Sequence, residues 1–396
     1  MKAHTADLII LGAGCAGLSI ACELAKLSLA NAKIPSVLLL EPKQHAFTRK
    51  TWCYWEVNNK TDNSMVSNRW SEWSFSSKMG SCTHRSSEWH YVCVPSENFY
   101  QAALQSITEC PSISIHYGRS ANGVHSTVKG IVVETDEGPI ICKNLIDTRP
   151  PSNEELLSCR LLQVFLGYEI QTKEPIGDLE KVGLMESMAN DSGGFHFDYL
   201  LPLKSDRMLI EFTRFGAKPL TQQELAKDME ESLQRRFPAG NFLVENMEYG
   251  IIPMGLPQIP QPRDRRWVYA GTRAGAVRPS SGYAFAEIQE WARRCAINLI
   301  ERDLPLPHPV RPKVVKAMDH LFLDVLAHRP DLGPKLFLSM AQRLNPNVFA
   351  RFMAGKCSLG EILKVVFSLP AKPFLTRLLL DLGSRLSLRS PFNQPK

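Results

Sequence analysis

The chain has 396 residues, 44% of them hydrophobic and 22% charged, with a net charge of +6. That length predicts two or three lobes, and the mild charge, carried without a dense Lys/Arg run, excludes a nucleic-acid arm while allowing a basic face for an anionic membrane surface. Ten cysteines scatter without a CxxC or a histidine-flanked cluster, which excludes a metal site and predicts reduced thiols in the cytoplasm.

Asp7–Leu11 is a short apolar run of the kind found in buried parallel strands. It opens into Gly12-Ala13-Gly14-Cys15-Ala16-Gly17, a GxGxxG turn, after which the apolar spacing becomes helical through Leu18, Ala21, Leu24 and Ala25. Val37–Leu40 is a second strand and ends in Glu41. Gly12 permits the tight turn, Gly14 leaves room for a pyrophosphate, and Gly17 lets helix and strand pack closely. The helix start offers free N–H groups and a positive dipole end to phosphates. Glu41 can accept hydrogen bonds from ribose hydroxyls, and its charge repels a 2′-phosphate. The motif begins so near residue 1 that no cleaved signal is expected, and no apolar run is long enough to cross a bilayer.

Pro42–Lys50 reads as a polar loop. Thr51–Glu56 and Trp70–Trp89 are rich in aromatics, suited either to core packing or to lining a site for a large unsaturated ligand. Pro95–Gln105 predicts a helix opened by a serine cap. Ile113–His116, Val124–Thr135 (interrupted near Lys129-Gly130) and Ile140–Ile146 read as strands, the last running into Asp147. A second lobe spans about 160–255, with a strand at Leu162–Glu169, a strand pair at Phe195–Pro202 and Arg207–Phe215, a helix at Leu220–Phe237 and a strand at Tyr249–Met254. The chain then returns to the first lobe through a strand at Trp267–Ala270, a glycine-rich turn at Gly271–Tyr283 and a helix from about Ala284 to Asp303. Past the connector Pro305–Pro312 come helices near Val314–Ala327, Gly333–Leu344, Asn347–Met353 and Leu359–Val366, then a basic tail.

The turn Gly271–Tyr283 places a second helix start where a phosphate or flavin ring can lie against it. A cofactor held by the first and last parts of one lobe, with a substrate lobe inserted between, is the layout of many FAD enzymes. The expected fold is therefore α/β with an α+β insert: a discontinuous Rossmann-type FAD lobe at 1–50, 90–158 and 260–304. A mixed-sheet substrate lobe is expected at 51–89 and 159–259, and a helical region at 305–396.

Five blocks carry a resemblance to the bacterial lycopene cyclase family. They are Thr51-Trp52-Cys53-Tyr54, Leu145-Ile146-Asp147-Thr148-Arg149, Phe165-Leu166-Gly167-Tyr168-Glu169, Leu201-Pro202-Leu203 through Ile210-Glu211-Phe212-Thr213, and Gly271–Tyr283. In the tail, Arg351-Phe352-Met353-Ala354-Gly355-Lys356 and Leu369-Pro370-Ala371-Lys372-Pro373 resemble two further runs. The resemblance implies a flavoprotein of the flavin hydroxylase and geranylgeranyl reductase-like superfamily that closes β-ionone rings on lycopene without net electron transfer.

In that family an acid protonates the terminal double bond, an internal double bond attacks the tertiary cation, and a proton leaves the ring. Reduced FAD stabilises the positive charge. Glu211 falls on the family's acid–base glutamate, and a carboxyl in apolar surroundings is expected to hold its proton near neutral pH. Glu169 and Glu186 are second candidates, and Trp52, Tyr54 and Trp55 are expected to line the polyene site. Cofactor contacts are expected from Gly12, Ala13, Gly14, Cys15, Ala16, Gly17, Glu41, Asp147, Gly271, Gly275, Pro279 and Gly282. No second dinucleotide fingerprint is present, so NAD(P)H or an unnamed redox partner reduces the flavin from outside.

The sequence also departs from the family pattern. Phe212 replaces the second acid of a Glu-Asp or Glu-Glu pair, removing a partner for Glu211. Arg214 and Arg278 stand where many members have histidine, and Asn98 replaces an arginine beside the flavin. Thr272 follows Gly271 where flavin hydroxylases have aspartate. Two other readings compete: an FAD-dependent monooxygenase or epoxidase of a lipophilic terpenoid, and a non-catalytic carotenoid-binding flavoprotein. A polyene this insoluble implies peripheral contact with the cytoplasmic membrane. Phe374, Leu375 and Leu378–Leu380, against Arg377, Arg385 and Arg389, form either a surface for that contact or a helix packed on the core.

Overall fold

The computed structural model describes residues 4–44, 49–57, 64–238 and 240–387. The chain begins β1 (His4–Leu11), α1 (Cys15–Leu29), β2 (Val37–Glu41), β3 (Thr51–Val57), β4 (Asn68–Trp70), β5 (Glu72–Ser77), β6 (Gly80–Arg85), β7 (Trp89–Pro95) and α2 (Ser96–Thr108). It continues β8 (Ile113–Tyr117), β9 (Ala121–Thr127), β10 (Gly130–Thr135), β11 (Ile140–Asp147), α3 (Asn153–Leu157), β12 (Leu161–Thr172), β13 (Lys181–Asp191), β14 (Gly194–Lys204) and β15 (Arg207–Gly216). Then follow α4 (Gln222–Arg236), β16 (Phe242–Met254), β17 (Trp267–Tyr269), α5 (Phe285–Arg302), α6 (Lys313–His328), α7 (Gly333–Arg343), α8 (Pro346–Met353), α9 (Leu359–Ser368) and α10 (Ala371–Ser387).

Two compact units result. The first comprises Met1–Arg69, Tyr91–Ser158 and Leu256–Val310; the second comprises Trp70–His90, Cys159–Gly255 and Arg311–Lys396. Residues 51–69 and the helices after 311 thus group differently from the expected division. The reason at 51–57 is local: β3 joins β7 and β4 in a three-stranded sheet, and Trp52 packs on Phe99 and Phe285.

In the first unit the sheet runs β8-β2-β1-β11-β10-β9, with β17 added on β11. The strands β8, β2, β1, β11 and β17 are parallel neighbours. Alternate residues of β1 serve two cores. Leu8 and Ile10 pack with α1, α2 and α5, whereas Ile9 and Leu11 pack with Ile131, Val133 and Ile140. A strand covered on both faces must be apolar throughout, which is why β1 and β2 read as unbroken hydrophobic runs.

The second unit holds a seven-stranded sheet, β16-β12-β15-β14-β13-β5-β6. Helix α4 opens with a capping box between Thr221 and Glu224 and is tied down by charge. Arg235 and Arg236 reach the buried Asp198 at 3.1 and 2.9 Å, and Asp228 meets Arg214 at 2.9 Å. At one end Phe195 stacks on Phe337 of α7.

Three local expectations are corrected. Helix α2 is capped by Pro95, because the Ser96 hydroxyl accepts the Lys50 N–H instead. Strand β16 starts at Phe242, seven residues before the expected Tyr249, and β13 was not anticipated. Part of the loop Pro42–Lys50, and Arg389, lie outside the described residues.

Candidate active site

The first unit contains a cradle built from two glycine-rich turns. Gly12, at φ 96°, donates its N–H to the Leu40 carbonyl at 2.8 Å and turns the chain into α1. A Cβ on Gly17 would lie 1.9 Å from the Gly12 carbonyl oxygen, so only glycine fits there. Gly14 caps α1 without any side-chain hydrogen bond, which leaves the first-turn N–H groups available to an anion. Glu41, nearly buried, accepts the Ala13 N–H at 2.8 Å and the Lys43 N–H at 3.1 Å. Burial pushes the Cys15 thiol up to about 12, so it stays protonated at the head of the helix.

Gly271 lies against this first turn: its own Cβ would come 3.0 Å from that of Ala16. Thr272–Ala274 form one 3₁₀ turn, Gly275 takes a left-handed conformation, and the Gly282 N–H closes onto the Arg278 carbonyl at 2.9 Å. Gln289 of α5 donates to Ser19 of α1 at 2.8 Å and holds the two helices together. A Cβ at Gly14 or Gly275 would meet nothing within 4 Å. An uncapped helix start, an acid on the neighbouring strand and two open glycine positions fit a bound dinucleotide.

Gly12–Gly17, Glu41 and Gly271 therefore lie together, with Gly275, Pro279 and Gly282 on the same turn. Asp147 does not point to a ligand. Its carboxylate takes a two-pronged ion pair from Arg149 at 2.9 and 2.6 Å and the Arg149 N–H at 3.1 Å. The aromatic residues of β3 pack on neighbouring rings. Trp52 stacks on Phe285 at 5.3 Å, Tyr54 stacks on the same ring at 5.4 Å, and Trp55 tilts against Tyr91 at 4.8 Å. Trp52 and Tyr54 belong to the apolar core over α2 and α5. Asn98 donates to the Met65 carbonyl at 3.3 Å.

The second unit presents a row of carboxyls on one sheet face. In register across the sheet stand Glu248 of β16, Gly167 of β12, Glu211 of β15 and Tyr199 of β14. Residues opposite one another share a face, and neighbours along a strand alternate. Asp198, Phe212 and Arg214 therefore point the other way, where Arg214 and Asp198 meet α4. Glu211 is 8% exposed and Glu248 is 6% exposed. A Cβ on Gly167 would lie 2.9 Å from Cγ of Glu211 and 3.1 Å from Cγ of Glu248. Those two atoms are thus no more than about 6 Å apart, closing over the glycine. Both Glu248 carboxylate oxygens are buried and accept no hydrogen bond among the described residues.

Phe212 consequently removes no partner from Glu211. Its ring packs on His196 at 5.2 Å, with the Arg214 guanidinium 5.4 Å above it, on the opposite face. Glu169 shares the Glu211 face but is held by the Asn246 amide at 3.0 Å, with Arg207 at 4.0 Å. Glu186 accepts hydrogen bonds from Ser74, at 2.5 Å, and from Ser76, which pin β13 to β5. Sequence reasoning missed Glu248, whose one signal is the alternation Met254, Ile252, Gly250, Glu248 running back through a charged stretch.

A profile of the lycopene cyclase protein family matches residues 7–379. Lycopene beta-cyclase from Pantoea ananas is 24% identical over 405 aligned residues, covering 94% of this chain and 97% of that protein. Lycopene beta-cyclase from Paracoccus sp. is 26% identical over 234 residues, covering 54% of this chain and 58% of that one. Among solved structures, a geranylgeranyl bacteriochlorophyll reductase-like protein from Thermoplasma acidophilum superposes with a TM-score of 0.62 at 12% identity. It covers 96% of this chain and 100% of the other. The p-nitrophenol 4-monooxygenase of Pseudomonas putida gives 0.57 at 12% identity, covering 96% and 98%. These structural likenesses bear out the expected fold.

Proposed function

Because the chain belongs to the lycopene cyclase family, we propose that it closes β-ionone rings on the acyclic ends of lycopene or a related polyene, with Glu211 as the proton donor. The observation that carries this reading is a carboxyl 8% exposed, on the strand block that resembles the family's acid–base motif. Desolvation disfavours the charged carboxylate, so Glu211 rests as the acid. It gives its proton to the terminal double bond, and an internal double bond closes on the tertiary cation. The ring then loses a proton to a carboxylate, leaving substrate and product as isomers with no electron transferred.

FAD is the cofactor we assign to the cradle. Gly12, Ala13, Gly14, Cys15, Ala16, Gly17 and Glu41 would hold its pyrophosphate and ribose, and Gly271, Gly275, Pro279 and Gly282 would border its flavin. In the reduced state it supplies electron density near developing positive charge. NAD(P)H or a redox partner provides that reduction from outside.

The substrate is drawn from the cytoplasmic membrane. Leu359, Leu363, Val366 and Phe367 form an exposed stripe on α9, and Leu375, Leu378 and Leu379 an exposed stripe on α10, with Lys356, Lys364 and Lys372 exposed beside them. No helix of the described residues is long and apolar enough to cross a bilayer.

The test is anaerobic incubation of the purified, flavin-loaded protein with micellar lycopene and a chemical reductant. A ring-closed product of unchanged mass is expected, and Glu211→Gln lowers its rate by about 10²–10⁴-fold. An oxygen-dependent gain in mass, or full activity in the variant, overturns the reading.

A further inference from the structure

We propose that Tyr283 and Tyr91 are positioning residues for the flavin: their hydroxyl–hydroxyl bond fastens the end of the second glycine-rich turn, and the start of α5 behind it, to the three-stranded sheet. The inference rests on the reading of the cradle as an FAD site.

The turn is shaped from within but placed from outside. Gly271, Gly275 and Gly282 hold φ of 73°, 86° and 74°, and the backbone between them closes on itself in two loops. The Ala276 N–H returns to the Gly271 carbonyl at 3.1 Å, and the Arg278 N–H returns to the Tyr283 carbonyl at 2.9 Å. Such loops keep their own form, and their location depends on what anchors them. Near the start of the turn, Arg273 reaches Glu155 of α3 at 3.0 Å, a partly exposed ion pair of small worth. At its end, Tyr283 donates its hydroxyl to that of Tyr91 at 3.0 Å, with the two rings edge to face at 6.2 Å. Burial pushes the Tyr283 phenol above its usual range, so the hydroxyl keeps the proton it donates.

The partner side is rigid. Tyr91 is 2% exposed and packs against Trp55 of the neighbouring strand. Trp52 and Tyr54 of β3, with Val92 and Val94 of β7, pack into the core of α1, α2 and α5. Side chains alternate along a strand, so Trp55 and Tyr91 stand on the other face of this sheet, where Tyr283 meets them. The bond therefore joins that face to the residue two places before α5. Ala284 caps α5 without a side-chain hydrogen bond, which leaves the first-turn N–H groups available to an electronegative edge of a ligand. Where those groups point follows from where residue 283 is held.

The experiment compares flavin-loaded wild type with Tyr283→Phe, Tyr91→Phe and the double variant. FAD release on dilution is followed by flavin fluorescence, and the bound flavin is examined by visible circular dichroism at saturating FAD. Each single variant is expected to hold FAD about tenfold more weakly, the scale of one buried hydrogen bond, and to alter the dichroism bands. The double variant should lose no more than either single, because both changes delete the same bond.

Wild-type affinity and spectrum in Tyr283→Phe overturn the proposal, whether or not its melting temperature falls, and so do losses that add in the double variant. A wild type that takes up no FAD instead overturns the cofactor reading beneath it. Should Tyr91→Phe fail to fold, Tyr283→Phe alone decides by the same two readouts.

Discussion

A methyl group at position 17 would collide with the Gly12 carbonyl oxygen at 1.9 Å and lie 3.2 Å from the Thr148 hydroxyl. Gly17→Ala is therefore expected to destabilise the protein by about 1–3 kcal/mol, read by thermal melting, and to abolish retention of the yellow flavin. At Gly167 the obstruction is two flexible glutamate side chains, so Gly167→Ala should fold and bind flavin while spreading the pair. Cyclisation should fall, and retained wild-type turnover would count against any role for that closeness. At this scale the fingerprint glycines, Glu41 and Glu211 were legible because each sits in a contiguous motif. Glu248 was not, because its neighbours come from β12 and β15 through register alone. Phe212 misled for a related reason: adjacency in sequence along a strand places side chains on opposite faces.

The hairpin of β5 and β6 depends on one neutral imidazole. Trp73 donates its indole N–H to Nδ1 of His84 at 3.1 Å, so the proton rests on Nε2 and is donated to the Ala341 carbonyl of α7 at 2.6 Å. Burial holds His84 below the usual histidine range, partly opposed by that carbonyl. The unfolded chain takes up a proton below about pH 6.5 while the folded protein resists it, so stability is full above that value and is lost as the pH falls. Burial lowers His196 in the same sense. His84→Gln is expected to cost about 1–3 kcal/mol at pH 7.5 and to melt with a flatter pH dependence between pH 7 and 5 than the wild type. Equal slopes for the two proteins would refute the role of this imidazole. Most elements were readable from periodicity, as with the helix expected at Leu220–Phe237 and found as α4 at Gln222–Arg236. The start of β16 was not, because Leu243, Val244 and Met247 are exposed and break the alternation that marks a strand.

The order of lobes along the chain was legible from the two separated glycine-rich turns, but their limits were not. The aromatic run after residue 50 looked like a ligand lining and is largely core, since burial and ligand contact call for the same side chains. The exposed stripes of α9 and α10 are the surface on which the proposed membrane contact is tested. Co-sedimentation with anionic lipid vesicles should be salt-sensitive, and a Leu363→Glu, Phe367→Glu double variant should lose it with little change in melting temperature, because both side chains are exposed. Binding unaffected by these charges would direct attention away from α9. The parallel pairing of β17 with β11 carries a consequence for biogenesis. The nucleotide-binding sheet gains its last strand, and α1 its partner α5, only after nearly three hundred residues have left the ribosome. The nascent chain must therefore shelter an unfinished parallel sheet through most of translation, the stage at which such sheets are slow to form and prone to aggregate.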